Sequence, residues 1–249
     1  MKSFSSIVIT GASSGIGEAL ALDYAAPGVA LALTGRDPER LEAVAAACRA
    51  KGATVVADTV DVVERERFAA WLTAFDDAHP VDLVIANAGI SIDKDNSSLD
   101  DFSIIRKTFD VNVDGVLNTV EPLLSRLMAR RRGQIAIVAS LASFIGLPYS
   151  ASYNASKAAV RVWGESIRYV LKKSGIGVSV VCPGFVISRI TANAPFPMPF
   201  LMTSARASSI IRRGLARNHA RIAFPIGTKA AVWFGQVLPG RWAARLLGA

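Results

Sequence analysis

From Ser5 to about Cys182 the chain alternates short, nearly continuous apolar runs rich in β-branched residues with longer stretches of helical periodicity. No other feature constrains the fold as strongly. Strands separated by a helix's length of chain pair in parallel, and a parallel sheet needs helices over both faces. Strands are read at 5–10, 29–34, 53–58, 82–86, 133–139 and 177–182, with a seventh candidate at 221–224. Helices are read at 15–26, 38–51, 64–78, near 101–130, at 152–174 and at 203–218.

This order, with right-handed crossovers, predicts an α/β fold: a doubly wound (Rossmann-type) parallel sheet of six to seven strands with helices on both faces, binding ligands at the carboxyl ends of the strands. At 249 residues, 51% of them hydrophobic, one continuous core is expected. The whole of 1–249 is therefore read as a single domain, with 1–190 as the cofactor and catalytic core and 191–249 as a substrate lid and tail. Charged residues or Gly and Pro interrupt every window long enough to span a bilayer. Met1 to Ser6 runs straight into an apolar strand without a secretory h-region, so a cytoplasmic location is expected. Cys48 and Cys182 are too few for a disulfide framework and are read as buried reduced thiols.

Directly after the first strand comes Thr10-Gly11-Ala12-Ser13-Ser14-Gly15-Ile16-Gly17, leading into a helix. Gly11 permits a tight turn, Gly15 lets backbone approach a pyrophosphate, and Gly17 allows close helix–strand packing, with phosphate facing the helix N-terminus. The second strand ends at Thr34-Gly35-Arg36, where an acid would hold the ribose 2′-hydroxyl of NAD. Arg36 suits a 2′-phosphate instead, so NADP(H) is favoured over NAD(H). Tyr153 and Lys157 stand four apart on a predicted helix and so share one face. An ammonium there is expected to lower the phenol toward a range in which it exchanges protons with a substrate oxygen. His79 and His219 lie far apart without ligand spacing and are read as surface residues, so no metal site is expected.

Taken together, these residues resemble the short-chain dehydrogenase/reductase (SDR) family from about residue 5 to residue 190. The motifs that carry the likeness are Thr10 to Gly17, Asp61-Val62, Asn87-Ala88-Gly89, Asn112, Ser140, Tyr153 with Lys157, and Pro183-Gly184. The resemblance implies that Tyr153 is the general acid in reduction and the base in oxidation. It implies that Lys157 binds the nicotinamide ribose, that Ser140 hydrogen-bonds the substrate oxygen, and that Asn112 holds a water of the proton relay. Gly11, Ser13, Ser14, Gly15, Ile16, Gly17, Arg36, Asp61, Val62, Asn87, Ala88, Gly89, Pro183, Gly184, Val186 and Ser188 would line the cofactor site together with Tyr153 and Lys157. Ser188 stands where the family commonly places Thr. The implied activity is hydride transfer between NADP(H) and a carbonyl or secondary alcohol, and the rival is an NADPH-binding sensor or scaffold without turnover.

The C-terminal third departs from the family. Many bacterial members end in a Gly-rich segment that this chain lacks, so a homo-oligomer is expected, a dimer in preference to a tetramer. Residues 166–249 hold twelve Lys and Arg and no acid, against sixteen basic and twenty acidic residues before them. Three readings stand for the tail: a cover over the substrate cleft and a dimer face, a peripheral contact with an anionic membrane, or a site for an anionic substrate. Phe196, Met198, Phe200, Leu201 and Met202 in the Pro-rich flap point to an apolar or lipid-like substrate. Nucleic acid is not expected as a partner, because no binding module accompanies the charge. Arg130-Arg131-Arg132 is read as compensation of a helix dipole.

Overall fold

The computed structural model describes residues 2–91, 102–146, 150–189, 191 and 198–229. Seven parallel strands form one sheet in the order β3-β2-β1-β4-β5-β6-β7. They are β1 (Ser6–Thr10), β2 (Ala30–Thr34), β3 (Thr54–Asp58), β4 (Leu83–Ala86), β5 (Gly133–Val138), β6 (Ile176–Pro183) and β7 (Arg221–Phe224). The helices are α1 (Gly15–Tyr24), α2 (Pro38–Ala50), α3 (Arg65–Ala78), α4 (Phe102–Phe109), α5 (Gly115–Arg130), α6 (Ala151–Leu171) and α7 (Ser204–Ala216). Strand order reverses between β1 and β4, and this is where a doubly wound sheet opens a ligand crevice.

Two apolar cores flank the sheet, as the period-2 geometry of its strands requires. Ile7, Ile9, Leu31 and Leu33 point to the α1, α2 and α7 side. Val8, Ala32, Val84, Ile135 and Ile137 point to the α3, α5 and α6 side. The central strands are buried along their whole length, whereas β3 and β7, at the sheet's edges, are only partly covered. The segment expected as lid and tail contributes to the core as well. Ile211, Leu215 and Ile222 are buried, and β7 pairs with β6 through Val181↔Ile222.

One expected element is broken. The helix expected near 101–130 is interrupted by a π-turn at Asp110–Asp114, closed by the Gly115 amide donating to the Asp110 carbonyl five residues back. Residue 101 lies outside the described residues. So do most of the flap, including Phe196, and the tail from residue 230 onward. Arg130 stands in the last turn of its helix as expected, and it does more there. Its guanidinium binds the buried Asp76 carboxylate at 2.7 and 2.8 Å, a tertiary contact between α5 and α3.

Candidate active site

The glycine turn is held by its neighbours before any ligand is considered. A Cβ on Gly17 would lie 2.2 Å from the Gly11 carbonyl oxygen, so only glycine lets α1 start this close to β1. Gly15 has φ +61°, and a Cβ there would stand 3.1 Å from the Ser188 Cβ across the cleft. Such a bare backbone cradle at a helix N-terminus fits the pyrophosphate of a dinucleotide. Thr10 Oγ1 accepts from the Asn87 and Ala88 amides, each at 3.0 Å, and Asn87 Nδ2 donates to the Thr10 carbonyl at 2.8 Å. The turn and the end of β4 are therefore tied together. At the far end, Thr34 Oγ1 donates to the Val60 carbonyl at 2.6 Å, and Asn118 Nδ2 donates to the Val62 carbonyl at 2.9 Å, fixing the Asp61-Val62 segment.

A cavity of about 430 Å³ runs along the strand ends, within the range of small-molecule sites. Of the residues expected at the site, Gly11, Ser13, Ser14, Gly15, Ile16, Arg36, Asp61, Val62, Asn87, Ala88, Gly89, Ser140, Tyr153, Lys157, Pro183, Gly184, Val186 and Ser188 all line it. Gly17 and Asn112 stand behind the wall. Asn112 lies in the π-turn, fully buried. Its Oδ1 accepts from the Ile90 amide at 2.8 Å, while Nδ2 donates to the Ile90 carbonyl at 2.9 Å and to Ser156 Oγ at 3.0 Å. The side chain is thus committed to protein groups.

On another wall of the cleft, Ser140 caps the 3₁₀ turn Leu141–Phe144, its Oγ accepting from the Ala142 amide at 3.1 Å. Ser140 and Tyr153 are hydrogen-bonded through their side chains. Burial raises the Tyr153 phenol above its ordinary value, and the Ser140 bond offsets only part of that rise. Burial also brings the Lys157 amine down to about 8. The Lys157 Nζ lies 5.9 Å from the centre of the Tyr153 ring but donates to the Val138 carbonyl at 2.9 Å. The expected lowering of the phenol by this ammonium is therefore not seen. Desolvation dominates both groups and favours their neutral forms.

Lys107, Arg189 and Thr191 also line the cavity and were not anticipated. Thr191 Oγ1 donates to the Val186 carbonyl at 2.8 Å and accepts from the Ser188 amide at 2.9 Å, closing the turn that faces Gly15. No local pattern marks these residues; their place follows from the fold.

Residues 5–196 match the short chain dehydrogenase family, and the chain belongs to that family of oxidoreductases. An oxidoreductase of Myxococcus xanthus without assigned substrate is 37% identical over 238 residues, covering 95% of this chain and 94% of the relative. Among solved structures, a short chain dehydrogenase/reductase of Burkholderia phymatum in complex with NAD is similar, with a TM-score of 0.84, 25% identity and 94% of each chain covered. A short-chain dehydrogenase of Sphingobium yanoikuyae in complex with NADPH has a TM-score of 0.81 at 25% identity, covering 97% of this chain and 92% of that one. Among the described residues, no helix is long and apolar enough to cross a membrane, and no three metal-ligating side chains cluster.

Proposed function

We propose that this chain is an NADP(H)-dependent reductase of carbonyl groups, or dehydrogenase of the matching secondary alcohols, acting on an apolar substrate. The observation that carries the proposal is the hydrogen-bonded Tyr153–Ser140 pair in the same cleft that the glycine turn lines, with Lys157 beside it. When bound, the dinucleotide supplies the hydride. The neutral Tyr153 hydroxyl donates its proton to the carbonyl oxygen as negative charge builds there, and the Ser140 hydroxyl hydrogen-bonds the same oxygen. Lys157, lowered to about 8, gives up a proton readily near neutral pH, which suits it to replenishing Tyr153. Any part Asn112 takes in that relay falls to its main chain, since its side chain is engaged.

Three cations support the phosphorylated cofactor. Arg36, Lys107 and Arg189 line the cleft, and none has a hydrogen-bond or ion-pair partner among the described residues. The acid beside Arg36 is already engaged. Asp37 caps α2 by accepting from the Arg40 amide at 3.0 Å and pairs with the Arg40 guanidinium at 2.5 Å, which leaves 2′-recognition to Arg36. The apolar-substrate reading is supported by Ile187, Phe200 and Leu201, which are 53%, 62% and 44% exposed, Ile187 standing between the cleft-lining Val186 and Ser188. The Ile187 amide donates to the Met202 carbonyl at 2.9 Å, tying the two segments. One domain working as a homo-oligomer in the cytoplasm completes the reading.

The test is NADPH consumption with a series of methyl ketones of graded chain length. Tyr153→Phe is expected to lower turnover by about 10²- to 10⁴-fold while NADPH still binds. Unchanged turnover in that variant refutes the proposal, and tight NADPH binding with no ketone reduced transfers the reading to a sensor or scaffold.

A further inference from the structure

The face of α6 that carries Tyr153 and Lys157 continues at the same four-residue spacing through Arg161 and Glu165, so all four residues rise along one side of the helix. Glu165 is the last acid in the chain, and its carboxylate gathers two arginines. Its Oε2 accepts from Arg161 Nη1 at 3.2 Å, and its Oε1 accepts from Arg221 Nε at 2.9 Å and Nη2 at 2.6 Å. Both guanidinium groups lie over the ring of Phe144, 4.1 Å from its centre for Arg161 and 5.0 Å for Arg221, well within cation–π range. Arg161 Nη2 also donates to the Ser143 carbonyl at 3.4 Å. Phe144 and Ser143 belong to the 3₁₀ turn that Ser140 caps, and Ser143 Oγ donates to the Ser140 carbonyl at 2.5 Å.

These contacts close a circuit. It runs from Tyr153 along α6 to Arg161 and Glu165, across to Phe144, and back through the turn to Ser140, which bonds Tyr153. We propose that Glu165, with Arg161 and Arg221, is a positioning clamp on Phe144 that holds the Ser140 hydroxyl in register with Tyr153. A serine that must meet both a phenol and a substrate oxygen tolerates little play, because small displacements of reacting groups cost rate steeply. The clamp uses charge where a flexible apolar contact would let the turn slide, and Arg221 extends it to the edge strand β7. None of its three charged residues lines the cleft, so they act on the reaction by positioning groups that do.

The inference rests on the reading of Tyr153 and Ser140 as the catalytic pair, and its test keeps the two apart. Glu165→Gln, nearly isosteric, and Phe144→Leu, still apolar, are made in the full chain. Hydrogen exchange by mass spectrometry then follows the 140–146 segment, where the Ala142 and Ser143 amides are bonded to Ser140. Both variants are expected to speed that exchange about tenfold. They are also expected to lower kcat about tenfold on the fastest ketone of the series above. NADPH dissociation constants stay within about twofold, because Gly15, Arg36 and Lys157 are untouched. In a Ser140→Ala background the further loss of kcat vanishes, since the clamp then has no hydroxyl to place. Unchanged exchange overturns the clamp whatever the activity shows, as does a kcat loss that persists at full size without Ser140. Full activity in Tyr153→Phe would instead remove the catalytic reading beneath it, leaving the exchange result to stand or fall alone.

Discussion

Arg36 lies at the cleft two residues past the end of β2, without a partner among the described residues, and an unpaired guanidinium at that place invites a phosphate. Replacing it by alanine is expected to weaken NADPH binding on the order of tenfold while leaving NADH nearly unchanged, as titrations of both dinucleotides would show. Equal losses for the two would rule out recognition of the 2′-phosphate. Lys157 makes a second case, because burial brings it from 10.5 to about 8. Between those pH values the unfolded chain holds the extra proton, so stability rises with pH across that window and levels off above it. Below pH 8 the buried charge costs about 3 kcal/mol, a tension suited to a working group. Lys157→Met is therefore expected to raise the thermal midpoint by a few degrees at neutral pH, with the gain fading toward pH 10; a lower midpoint at pH 7 would contradict this.

Among the described residues, Asp76, Asp77 and Glu121 all form ion pairs between α3 and α5, and Asp76 is the buried one. Asp76 has a fully buried side chain that accepts from Arg130, Arg126 and the Val81 amide. Burial by itself would raise the carboxyl, but Arg130, the Val81 amide and Arg126 outweigh it and hold Asp76 below its ordinary value. Its contribution is thus fully present above the unfolded carboxylate range and is lost as pH falls through the lowered folded value. Asp76→Ala is expected to cost about 3 kcal/mol in urea unfolding at pH 7, at the low end for a broken buried pair because both arginines stay about a third exposed. The cost should shrink on acidification. This contact was illegible in the sequence, since Arg130 sits where a helix end also calls for positive charge. The π-turn was illegible for a related reason. Val111 and Val113 flank Asn112 without disturbing the apolar periodicity, and no residue type announces a bond five residues back. By contrast, helix α6 was legible to within a few residues, because its apolar spacing is regular and Gly175, at φ +79°, follows it.

Across the whole molecule, the glycine turn, Ser140 and the Tyr153/Lys157 pair could be read from the sequence because each lies in a short contiguous string. Lys107, Thr191 and Phe144 with its arginines could not, since only the sheet order brings their elements together. A chain ending near Ile226 keeps all seven strands and gives the comparison for the tail. If the basic C-terminal third meets anionic membranes, sedimentation with anionic liposomes will capture the full chain in a salt-sensitive manner, and the shortened chain shows how much of that capture lies beyond Ile226; no salt-sensitive co-sedimentation of the full chain removes that role. The strand order also sets a timetable for synthesis. β1 can zip to β2 soon after both leave the ribosome, but its other edge waits for Leu83 to reach Ile7. Until then the strand that leads into the dinucleotide turn has a bare edge, and Asn87, which fastens that turn, has not been made. A chain that ends before β4 therefore carries an unpaired strand edge, the kind of surface that favours self-association.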